Sequence, residues 1–183
     1  MSENKVQFNL KNVHVAKMTD EGYDAPFHVP GAVSLALDPQ GDVVKFYADG
    51  IIYFSAENNM GYSGDLEMAR FPDRMLQEIW NFVLGSTSKV LTENANALNS
   101  TFALLFQIDG DQENELYALY ACSGTRPNVG GKTNGESIEP QTQKSSINAV
   151  PLANGAVMAR TTSETPKDVR DNWFRSVFVE ESA

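Results

Sequence analysis

"TFALLFQI" (residues 101–108) and "ELYALYACS" (115–123) are the stretches on which the fold turns. The first is apolar on nearly both faces, so it reads as a central strand covered from either side. Asp109-Gly110 opens a polar turn, and the second stretch returns as its antiparallel partner. Working outward, the same period of two recurs. Val6, Phe8 and Leu10 alternate with Gln7, Asn9 and Lys11, while Val13 and Val15 take the opposite parity. That switch predicts a bulge near Lys11 and Asn12. Val33, Leu35 and Leu37 alternate with small residues, and VVKFYADGIIYFSA (43–56) splits into two strand-like halves around Asp49-Gly50, a hairpin dipeptide. Leu66 and Met68 alternate with Asp65 and Glu67, which gives that strand an acidic outer face. KSSINAVPL (144–152) and GAVMARTTS (155–163) flank Asn154-Gly155, a further hairpin signal.

Two segments change to helical spacing. In PDRMLQEIWNFVLG (72–85), Met75, Leu76, Ile79, Trp80 and Val83 form one apolar stripe, with Pro72-Asp73 at its start and Gly85 at its end. The spacing predicts a helix over 72–84. In TPKDVRDNWFRSVF (165–178), Thr165 is placed to cap, Pro166 suits the first helical position and Asp168 completes a capping box, so a second helix is expected over 166–178. Both Trp residues read as core anchors. The remaining stretches Gly85–Ser100 and Gly124–Pro140 read as loops. Together these elements predict a single domain over 1–183, mainly β with minor α: an antiparallel β-sandwich or barrel with a packed helix.

Composition bounds the function. Hydrophobic residues are 42% and charged residues 21% of 183, the balance of an ordinary soluble domain. One cysteine, Cys122, excludes an intrachain disulfide and a Cys-rich metal site. The polar start MSENKVQFNL does not read as a signal peptide, and no apolar run is long enough to span a membrane. A net charge of −10 argues against a grip on nucleic acid, which needs a positive patch. It does permit an acidic surface that lies near DNA without holding it.

The chemical motifs fail on inspection. GTRPNVGGKTNG (124–135) ends like a phosphate-binding loop, but the first glycine of G-x-x-x-x-G-K-[ST] would fall at Arg126, and NGESIEPQTQ follows where a helix should open. DGDQENE (109–115) begins like a calcium loop, yet positions six and twelve hold Asn114 and Tyr120. Neither of the two histidines, His14 and His28, lies in a nucleophile motif; His14 reads as solvent-exposed on its strand. No catalytic centre, cofactor site or metal site is expected.

NKVQFNLKNVH (4–14), PGAVSLALDPQGDVVKFYADG (30–50), NNMGYSGDLEMARFPD (58–73), FALLFQIDGDQENELYALYACSGTRP (102–127) and GESIEPQTQKSSINA (135–149), taken in this order, resemble the major tail protein of long, non-contractile-tailed bacteriophages, the tail tube subunit. The resemblance spans nearly the whole chain and is weakest over 74–100. It implies a β-sandwich carrying a helix, assembled into hexameric rings that stack into a tube around a tape-measure protein and later conduct DNA. It implies a virion component assembled in the host cytoplasm, with tape-measure and tail-tip proteins as partners and no membrane. It also implies a long loop that reaches the next ring, placed here within 39–64. Phe46, Tyr47, Ile51, Tyr53 and Phe54 are then the candidate subunit contacts, and Asp65 and Glu67 the candidate lumen charges. The alternative for 39–64 is a hairpin folded onto its own core. Other functional readings are a carbohydrate- or ligand-binding module using Tyr23, Tyr53 and Tyr62, a secretion-system tube protein, and a hydrolase with a deep polar pocket near His14 or His28.

Overall fold

The computed structural model describes residues 4–135 and 139–180. In chain order its elements are β1 (Gln7–Thr19), β2 (Gly22–Tyr23), β3 (Phe27–His28), β4 (Ala32–Gln40), β5 (Val43–Ala48), β6 (Ile51–Glu57), β7 (Gly61–Met68), α1 (Asp73–Glu78), β8 (Val83–Leu84), β9 (Leu91–Thr92), β10 (Phe102–Gly110), β11 (Glu115–Gly124), β12 (Gln143–Val150), β13 (Met158–Arg160) and α2 (Lys167–Asn172). The protein is mainly antiparallel β, 47% strand and 7% helix. Among the described residues, nine strands form one sheet in the order β2-β1-β10-β11-β12-β7-β4, with β3 on β1 and β13 on β11. The sheet curls until β4 comes into contact with β1, but no ladder joins these two.

β10 lies between β1 and β11 and is covered on both faces, as its composition requires. Phe102, Leu104 and Phe106 enter one core cluster; Ala103 and Leu105 enter the other. α1 and the turn that follows it plug the first cluster with Met75, Ile79 and Trp80, all at most 1% exposed. The Trp80 indole N–H donates to the Gly124 carbonyl at 3.0 Å, so its one polar atom is satisfied. The C-terminal segment covers the second cluster through Trp173, whose Nε1 donates to Tyr117 O at 3.2 Å.

The predicted bulge in β1 is present, and a second accompanies it. The register against β10 slips between Lys11 and His14 and between Phe8 and Leu10, with Asn12 at φ 50° and Asn9 at φ 65°. Asparagine tolerates this left-handed region better than most residues. Both amides are also used: Asn9 Nδ2 donates to Asp109 and Asn12 Nδ2 to Gln107. Lys11 beside Asp109, with hydrogen bonds from Gln107 and Asn9, holds that carboxyl below the usual carboxylate range.

Several boundaries differ from expectation. The first helix is not 72–84 but a short α1, because Asn81 adopts φ 54° and the Phe82 N–H reaches back to Leu76 O at 3.1 Å. A left-handed asparagine is a common way for a helical segment to end, and it comes four residues before Gly85. Val83 and Leu84 then pair with Leu91 and Thr92, so the loop expected at 85–100 contains one strand of a small ribbon. The second helix spans Lys167–Asn172, followed by turns, instead of 166–178. Thr165 does not cap it; its hydroxyl accepts the Thr162 N–H at 2.8 Å. β12 and β13 do not pair with each other across Asn154-Gly155. The turn forms, with Gly155 at φ 84°, but both strands dock on β11, β12 at 121–124 and β13 at 117–119.

Candidate functional site

The segment predicted as a long loop at 39–64 is a continuation of the β4–β7 pair. β4 and β7 run together to Gln40 opposite Gly61. Hydrogen bonds from Met60 N–H to Gln40 O (2.9 Å) and from Asn58 N–H to Asp42 O (3.1 Å) carry the ribbon past the sheet. β5 and β6 then pair from Val43–Glu57 to Ala48–Ile51. Asp49 (φ 52°) and Gly50 (φ 76°) close the turn with two positive φ angles, the geometry that suits the right-handed twist of a hairpin. Gly61 (φ 100°) marks the point of departure, where a Cβ would lie 1.9 Å from the Ala149 carbonyl oxygen.

This ribbon packs on neither core cluster, so the reading of a hairpin folded onto its own domain is overturned. Eight large apolar side chains, from Val43 to Phe54, are 49–71% exposed. With full aromatic side chains at up to ~250 Å², they present on the order of 900 Å². A typical monomer's largest apolar patch is roughly 300–600 Å², and a standard interface covers ~800 Å² per partner.

The register sorts the candidate contact residues. Opposed residues share a face of a two-stranded ribbon, and successive ones alternate. Phe46 opposes Phe54, Val44 opposes Ala56 and Ala48 opposes Ile51, so one face is wholly apolar. Val43, Lys45 and Tyr47 lie on the other face with Glu57, Ser55 and Ile52. Tyr53 is the extra residue of the bulge between these two sets. Phe46, Ile51 and Phe54 therefore form one unit, and Tyr47 belongs to the opposite face.

A second apolar feature was not singled out from the sequence. Where β4 approaches β1 without pairing, a cleft of about 360 Å³ opens, lined by Phe8, Leu10, Leu35, Leu37, Tyr62 and Ile108 among others. Its signal was the alternation of Phe8-Leu10 and Leu35-Leu37, which marks an inward face but cannot say that the sheet stays open above it.

Asp65 and Glu67 lie on the outer face of β7, with Leu66 and Met68 fully buried behind them, as the alternation predicted. They are not bare charges. Ser146 donates to Asp65 at 2.7 Å. Glu67 accepts from Thr142 and Ser34, with Lys144 Nζ 3.8 Å away; these hydrogen bonds, Thr142's first, hold its carboxyl below the usual range.

The residues of the other readings are scattered. Tyr23 packs on the C-terminal side of the sheet, Tyr62 on the opposite core, and Tyr53 stands out on the ribbon. They share no common platform. His14 is not solvent-exposed as expected: it is half-buried, stacked on Phe174 with centroids 4.6 Å apart and 5.0 Å from His28, its cross-strand neighbour. Burial lowers its pKa, and the His28 charge adds to this. The polar pocket lies elsewhere, about 160 Å³ lined by Glu113, Glu115, Arg160 and Arg170, and contains neither histidine. Its charges are mutually paired, Arg160 with Glu115 at 3.2 Å and Arg170 with Glu113 at 3.1 Å. Cys122 is fully buried and its thiol is pushed up to about 12, which leaves no thiolate for attack. Among the described residues, no three His, Cys, Asp or Glu side chains cluster as metal ligands do.

In the glycine-rich loop, Gly130 and Gly131 lack the positive φ of a phosphate nest, and Lys132 pairs with Glu139 at 3.3 Å. Residues 136–138 of that loop lie outside the described residues. DGDQENE is a hairpin tip, and it straps down the N-terminal segment. Asn4 Oδ1 accepts the Gln112 and Glu113 amides, both at 2.9 Å.

No protein-family model matches the chain, and no curated protein does. Among solved structures, it is similar to a chain of the cryo-EM structure of the anti-feeding prophage (AFP) baseplate, 6-fold symmetrised. The two are 11% identical, the match covers 90% of this chain and 100% of that one, and the TM-score is 0.48.

Proposed function

We propose that this chain is a structural, non-enzymatic subunit that self-associates into rings and a tube of the phage-tail kind. The observation that carries the reading is the exposed β5–β6 ribbon. An apolar surface of this extent, shared between the two faces of the ribbon, is unfavourable in water, and a second copy is the partner every molecule of this chain has available. The ordered sequence resemblance to tail tube subunits supplies the kind of assembly. The acidic outer face of β7 fits a lumen that DNA traverses without sticking, since each exposed Lys or Arg would retard it. Tape-measure and tail-tip proteins are the further partners, and the assembled virion is the destination.

The test is sedimentation velocity with negative-stain electron microscopy, over rising protein concentration and salt, with and without tail-tip and tape-measure partners. Rings or hollow tubes are expected. A monomer under every condition, partners included, would sink the reading. For the lumen, Asp65→Lys with Glu67→Lys is expected to leave tubes intact but slow DNA ejection; unchanged ejection would remove β7 from the lumen wall.

A further inference from the structure

The ribbon and the cleft carry an inference about how one copy meets the next. It rests on the ribbon being a subunit contact and concerns what receives it. The fully apolar face presents Val44, Phe46, Ile51 and Phe54, with Phe46 and Phe54 side by side as cross-strand partners. The cleft between β1 and β4 is open, apolar and about 360 Å³. An apolar cavity of ~150 Å³ holds one benzene, so this volume has room for two aromatic rings. Phe8 stands at its rim, 54% exposed.

A molecule's own ribbon is not placed to fill the cleft. It leaves the far end of β4 in line with the β4–β7 pair, and turning back would break the Met60–Gln40 and Asn58–Asp42 hydrogen bonds. An added strand is also disfavoured at this seam. Asn9 and Asn12 kink the edge of β1, and Pro39 removes a donor from β4. The seam is therefore built to take side chains.

We propose that the apolar face of the ribbon inserts Phe46 and Phe54 into the β1–β4 cleft of a second copy of this chain. Donor and acceptor are different patches, so copies that each pass the ribbon on to the next build a ring or a filament, while reciprocal exchange closes a two-fold pair. Because the copies share a charge of −10, salt screens their repulsion and strengthens the contact.

The test places the photo-crosslinker p-benzoylphenylalanine at Phe54 of the full chain, mixed with isotopically heavy wild-type chain so that inter-chain products are identified by mass. Crosslinks to peptides 7–12 or 33–38 of the heavy chain are expected. Inter-chain crosslinks that map only elsewhere overturn the cleft as acceptor and leave the ribbon as a contact. No inter-chain product at any concentration or salt, tail-tip and tape-measure partners included, overturns both. As a second measurement, Phe8→Ser truncates an exposed rim residue without setting a new carboxylate opposite its cross-strand partner Asp109. Its self-association is expected to weaken at least tenfold, the scale of a hot-spot loss, and an unchanged constant overturns the proposal.

Discussion

Two hairpins in this molecule are written in nearly the same local grammar and meet opposite fates. β10–β11 and β5–β6 are each apolar, antiparallel and associated with an Asp-Gly pair, Asp109-Gly110 and Asp49-Gly50. In the first, Leu104, Leu105 and Phe102 are fully buried. In the second, Phe46, Tyr53 and Phe54 are more than half exposed. The difference lies in what stands beside them. β10 has β1 on one edge, β11 on the other, and a core cluster on each face. β5–β6 has only itself. The hydrophobic effect acts on both equally, so the exposed ribbon carries an unfavourable apolar surface into water, while the buried one is the domain's own foundation.

The largest effect that would sharpen this contrast is in the buried half. Trp80→Ala removes a fully buried indole and leaves the Gly124 carbonyl without that donor. A loss of about 3–5 kcal/mol is expected in urea unfolding; a loss below ~1 kcal/mol would mean the core is looser than its packing implies. Next comes the turn of the exposed half. Gly50→Val forces a β-branched residue to φ 76°, a strain of about 1–2 kcal/mol. Hydrogen exchange should accelerate over 43–57 while the global urea midpoint holds. A shift of the global midpoint would show that the ribbon is coupled to the core and break the contrast.

A smaller effect involves His14, on the buried side. Its folded pKa lies below the unfolded value of 6.5, so between those two values the unfolded chain binds the extra proton. The stabilisation is fully present above 6.5 and is lost as pH falls through the folded value. Urea midpoints measured stepwise from neutral to mildly acidic pH should decline, and His14→Gln should flatten the decline. An equally steep slope in the variant would assign it to other groups. The smallest change in stability belongs to Phe46→Ser with Phe54→Ser: within ~0.5 kcal/mol of wild type as a monomer, yet with self-association lost. A marked destabilisation of the monomer would mean that the ribbon helps to hold its own domain.

The sequence by itself determined the strand-rich class, the central position of 102–108, the bulge at Lys11–His14, the Asp49-Gly50 hairpin and the inward parity of Leu66 and Met68. All follow from period, turn chemistry and composition, which act over a few residues. Tertiary structure decided the rest. The first helix ended at Glu78, with Asn81 turned left-handed and the Phe82 N–H bonded back to Leu76, although its apolar stripe continues to Val83. β12 and β13 parted because β11 offered both of them an edge. His14 became half-buried because Phe174, 160 residues away by number, lies over it. The same holds for the candidate site. Its residue types were legible, but the one-face grouping of Phe46, Ile51 and Phe54 depends on a register slip between strands. The cleft exists only because the sheet curls without closing. Burial and pairing are relations between distant segments, and a local pattern fixes what a segment can bury without fixing what will cover it.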